Sequence, residues 1–195
     1  GGNIASAWST ASTAFNVARL GVTAVAYANN LYIFGGDDGT NYLSDAQYSK
    51  IDSTTGNAGP WTYTTSLPGP LSGSDGFAAN GYIYLMGGRS SATTCDPTSL
   101  VAPVSANTTI ASGNNPTGIG EWYETNQRFT GARYGASTAY YEGKAYVMGG
   151  GCGSTLTYAS PVTQQSTLLS QPQVAKYSIA IDTDTDVFPS KWLLN

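Results

Sequence analysis

Three apolar runs along the chain each end in a glycine doublet: LYIFGG closing at Gly35-Gly36, IYLMGG at Gly87-Gly88 and AYVMGG at Gly149-Gly150. A tryptophan precedes each at a near-constant distance. Trp8, Trp61 and Trp122 lie 27, 26 and 27 residues before the first glycine, and Trp192 follows the last unit. Such a recurrence means stacked copies of one supersecondary unit, whose apolar faces are buried only by neighbouring copies.

Aligned on the doublets, VTAVAYANNLYIFGG (22–36), SDGFAANGYIYLMGG (74–88) and ASTAYYEGKAYVMGG (136–150) superimpose without a gap, and Gly21, Gly73 and Gly135 precede them. Each breaks midway at a turn signal: Asn29-Asn30, Asn80-Gly81, Glu142-Gly143. Two short apolar runs around such a pair predict a β-hairpin. In Leu31-Tyr32-Ile33-Phe34 and Ile83-Tyr84-Leu85-Met86 both alternating faces are apolar, so these second strands must be covered on both sides. Tyr32, Tyr84 and Tyr146 share one strand position and are predicted core. A third strand is expected at Gln47–Ile51 and at Lys176–Ile181, with Val104-Ser105 the best candidate in the middle unit. A fourth strand opens at each tryptophan.

Four antiparallel strands per unit describe one propeller blade each. The pattern resembles the kelch repeat: a glycine doublet after the second strand, Tyr in the third, Trp in the fourth, and an Arg shortly before the first. Arg19 and Arg133 match that arginine, whereas the middle unit carries Leu71-Ser72 there. The expected fold is all-β: an incomplete kelch-type propeller with blades at about 19–66, 71–127 and 132–195, and residues 1–18 as an extra strand of a preceding or closing blade. Three blades do not close a ring, since propellers typically have four to eight. The terminal blades are therefore expected to need either further blades in a parent chain or a second copy. The start at Gly1-Gly2 without Met reads as a mature or excised segment.

Composition narrows the function. Charged residues are only 10% of the chain, the net charge is −4, and no basic cluster exists to neutralise phosphates, so nucleic acid is not an expected partner. No apolar run reaches the roughly 20 residues of a membrane span. The chain has no histidine. The enzymatic branch that kelch-like propellers resemble, galactose oxidase, uses histidine copper ligands, so this chain alone cannot complete that site. Ser-His-Asp and Cys-His catalysis are excluded likewise. Neither catalytic residues nor a cofactor is expected. Asp182, Asp184 and Asp186 alternate as in calcium loops but lack the glycine and distal Glu of an EF-hand, and a solvated turn is the simpler reading.

The loops that follow the doublets differ in length and all emerge on one rim of the propeller. Long Ser/Thr-rich loops on a rigid scaffold are where binding resides. The expected function is a non-catalytic binding or adhesion module of a larger extracellular or cell-surface protein, with a protein or glycan partner. The alternative is part of an oxidase-like or glycan-processing propeller enzyme whose catalytic residues lie elsewhere. Candidate contacts are Asp37, Asp38, Tyr42, Tyr123 and Tyr158. Cys95 and Cys152 fall in rim loops of adjacent blades, close enough for a disulfide that would suit an oxidising compartment.

Overall fold

The structure is a computed structural model that describes Trp8, residues 10–104, 118–125, Arg128, residues 130–152 and the backbone of Thr163–Thr167. The described residues contain strands and no helix. The first blade is β1 (Thr23–Tyr27), β2 (Asn30–Phe34), β3 (Ala46–Ile51) and β4 (Ala58–Thr64), paired in that order and all antiparallel. The second repeats it with β5 (Asp75–Ala79), β6 (Tyr82–Met86), β7 (Ser99–Pro103) and β8 (Tyr123–Glu124). The third shows β9 (Tyr134–Tyr141), β10 (Lys144–Gly151) and β11 (Thr163–Thr167).

The hairpin turns follow from their residues. Asn80-Gly81 and Glu142-Gly143 both carry paired positive φ, the type I′ geometry that matches strand twist. In the first hairpin the turn is Ala28-Asn29, one residue earlier than the Asn-Asn signal suggested, because Tyr27 pairs with Asn30. Asn30 instead begins β2 and bonds back through its amide to the Ala28 carbonyl, 2.9 Å.

Two strand positions differ from the sequence reading. The third strand of the middle blade is Ser99–Pro103, not Val104-Ser105. Val101 faces Tyr84 in the register that Tyr48 holds against Tyr32, so a β-branched residue replaces the expected tyrosine. In the third blade the place beside β10 is taken by Thr163–Thr167; Lys176–Ile181 and Trp192 lie outside the described residues. Trp61 is in β4, and Trp122 immediately precedes β8.

The blades stack as the two-sided apolar strands require. Tyr32 and Phe34 of blade one meet Ile83 and Leu85 of blade two, and all four are at most 1% exposed. The alternate residues of the same β6 strand, Tyr84 and Met86, face the other way and pack with Ala145 and Val147 of blade three. Trp122 explains its own recurrence. It meets Phe34 of the previous blade edge-on at 5.3 Å and donates its indole N–H to the Thr65 carbonyl, 3.1 Å.

The leading segment lies in no strand over its described residues below Leu20, where a preceding-blade strand was expected, and Trp8 is 88% exposed. It lies instead against blade one. Thr13 donates to the Ala58 and Gly59 carbonyls, the Asn16 amide donates to the Gln47 side chain, and Phe15 meets Trp61 edge-on at 5.9 Å. These contacts cover the face of blade one that points away from blade two, where Ile33 and Gln47 are buried. On the outward face of blade three, Met148 remains 37% exposed.

The core tyrosines carry a pH consequence. Burial pushes the Tyr32 and Tyr84 hydroxyls from their ordinary 10.0 up to about 12, with neighbouring tyrosines adding to it. Their folded values lie above the unfolded one, so their contribution is fully present below about pH 10. It is lost as pH rises from about 10 towards 12, where only the unfolded chain gains charge. Denaturant titrations across that range are expected to show falling stability, with a smaller loss in Tyr32→Phe and Tyr84→Phe.

The candidate rim site

The ends of the hairpins build the site. Gly35 and Gly36, like Gly87 and Gly88, all have positive φ as the chain leaves the second strand. Close approach makes glycine obligatory here. A Cβ on Gly35 would press into the Leu71 carbonyl oxygen, and one on Gly88 would lie 2.7 Å from the Leu71 side chain. The second glycine of each doublet donates its N–H to the next blade: Gly36 to Leu71 O and Gly88 to Arg133 O, each 2.8 Å. Gly35→Ala is therefore expected to cost at least about 2 kcal/mol in urea denaturation, from φ strain plus the clash. Gly39→Ala, with positive φ but open space around it, should cost about 1 kcal/mol.

The two matching arginines brace this end. Arg19 donates to the Gly35 carbonyl and makes a two-point bond to Asp45, with Nη1 at 2.8 Å and Nη2 at 3.0 Å. Burial alone would raise the Asp45 carboxyl, but the bonds from Arg19 and Gln47 outweigh it and hold it below the usual range. Arg133 donates to Gly149 O in the same relation. Leu71, at the unmatched middle position, is buried and fills the space over Gly88.

Beyond each doublet the chain pairs once more with the residue before the leading glycine: Leu20 with Asp37, Ser72 with Arg89 and Tyr134 with Gly151. Asp37 and Arg89 also pair outward with Tyr42 and Cys95. Three blades thus deliver Asp37, Tyr42, Ser72, Arg89, Cys95, Tyr134 and Cys152 to one end of the stack. Arg89 lies over two aromatic rings, its guanidinium carbon 4.3 Å from the Tyr134 centroid and 5.5 Å from that of Tyr42. Asp37 accepts from the Ser72 hydroxyl, 3.2 Å, and from the Gly39 amide.

Of the residues singled out from sequence, Asp37 and Tyr42 belong to this cluster. Asp38 is engaged in its own turn. Amides of Asn41 and Thr40 hold its carboxyl below the usual range, the arrangement of a loop-forming aspartate. Tyr123 stands in β8 at the outer edge of blade two, packed on the second core cluster, and does not join the rim group. Tyr158, Asp182, Asp184 and Asp186 lie outside the described residues. Sequence reasoning passed over Arg89, Ser72 and Tyr134. The signal lay in the repeat itself, in the residue just past each doublet and the one just before each leading glycine.

Cys95 and Cys152 form the expected disulfide, with Cα atoms 5.9 Å apart, joining the rim of blade two to that of blade three. Reduction, or replacement of both cysteines by serine, should lower unfolding stability by about 4 kcal/mol for a sequence separation of 57, measured by urea titration with and without reductant.

A kelch motif matches residues 18–48, the first hairpin with its third strand. The structure titled "Structure of YjhT" superimposes with a TM-score of 0.50 at 19% identity, over 69% of this chain and 35% of that one. The sheets have the fold of propeller blades, and the first of them carries a kelch motif. The chain spans about a third of the length of YjhT, and the likeness concerns the fold alone. No curated protein matches the sequence.

Proposed function

We propose that this kelch-type stack is a non-catalytic binding module of a larger extracellular or cell-surface protein, with the doublet-end rim as its contact face for a protein or glycan partner. The observation that supports it is the convergence of loops from three blades onto one end, where Tyr42, Arg89 and Tyr134 stand together. A rigid sheet stack that presents variable loops at one end is suited to recognition. The Cys95–Cys152 bond fits an oxidising compartment and fixes two of those loops relative to each other. Catalysis is no part of the reading, since the chain has no histidine to act near neutral pH.

The test is capture from a displayed-peptide library and a glycan array. Binders selected on the intact chain should be lost with Tyr42→Ala at the rim and kept with Asn80→Asp at the opposite, turn end. Binding that tolerates the rim change but not the turn change would overturn the assignment of the face.

A further inference from the structure

Arg89 is the one cationic side chain of the rim cluster whose charge the surrounding structure does not answer. Its backbone is fixed by two bonds to Ser72, 2.9 and 2.8 Å, so the side chain leaves the sheet from a rigid base. Its Nε is buried without a hydrogen-bond partner, and its guanidinium makes no hydrogen bond or ion pair among the described residues. The contrast with Arg19 is direct, because Arg19 at the neighbouring blade has its fork filled by Asp45. The Arg89 guanidinium instead lies over two rings, that of Tyr134 the nearer and that of Tyr42 the farther. A guanidinium resting on rings keeps its in-plane N–H groups for a partner, and such an edge is matched to a planar carboxylate by two parallel bonds.

Resting on the rim as the binding face, we propose that Arg89, held against Tyr42 and Tyr134, binds a single carboxylate side chain, Asp or Glu, of a partner peptide segment. The surroundings favour a peptide over an acidic glycan. A polyanionic glycan needs a run of cations, whereas this chain has eight Lys and Arg and a net charge of −4. Asp37, in the same cluster, would repel a second anionic group. Sugar recognition would also need free ring faces for stacking, and Arg89 already occupies a face of each tyrosine.

The chain has four arginines, so side-chain Nε–H resonances can be followed one by one. Titration with N-acetylglutamate amide should shift the Arg89 Nε–H signal saturably, and N-acetylglutamine amide should leave it unmoved. Arg89→Lys, which keeps the charge and loses the fork, should weaken binding several-fold in amide spectra of the folded chain. Tyr134→Leu should weaken it likewise by removing the nearer wall. An absent shift, an equal response to the glutamine amide, or a stronger response to glucuronate would each overturn the proposal. The same chain carries the control for the wider reading. Library peptides that still bind Arg89→Gln at the rim overturn the Arg89 site and leave the binding face standing. A rim that selects nothing, while the glutamate amide still shifts Arg89, overturns the binding face and upholds the site.

Discussion

Everything in this molecule hangs on backbone contacts made across blades where side chains are absent. The Gly73 amide donates to Gly21 O and the Gly135 amide to Gly73 O, each at 2.7 Å, so the innermost ends of three blades are linked in series. The doublet glycines repeat the device one step outward, reaching Leu71 and Arg133. At Gly21 and Gly35 an added Cβ would run into Ser72 and Leu71 of the next blade, and the positive φ at every one of these positions favours glycine. The apolar packing of Phe34 on Trp122, or of Tyr84 towards Val147, supplies the larger burial term, but it is available only once the blades are brought to this spacing.

The hairpins were legible from sequence because three signals coincide in each: a turn pair, alternating apolar runs and a terminal doublet. The third strands were less so. A third strand is recognised by what it faces, and Val101 serves opposite Tyr84 as well as Tyr48 does opposite Tyr32. The described part of the leading segment departs from the expected strand for a related reason. Trp8 resembles the strand-opening tryptophans in spacing, yet Thr13, Asn16 and Phe15 find partners on blade one, and pairing is not written in spacing.

The rim site was only half visible. Asp37 and Tyr42 drew notice as loop residues, and the cysteines as a pair on adjacent loops. Arg89 did not, because an arginine after a glycine doublet looks like any surface charge. Its character comes from Tyr42, 47 positions earlier, and Tyr134, 45 positions later, and neither separation follows from a local pattern. Tyr123 shows the opposite error. An aromatic beside a loop reads as free, but its strand carries it into the contact between blades.

Arg89 and the two rings against it come from three separate excursions of the chain, one from each blade. No single blade, folded alone, contains all three residues, and neither does either adjacent pair. Occupancy of a site built from the three is therefore conditional on both blade interfaces being docked at once. A ligand held there would draw its binding energy from the assembled array, and by linkage would act as a clasp across it. Recognition and integrity of the stack become one thermodynamic quantity, so a substitution buried between blades, far from the rim, could loosen a partner it never touches.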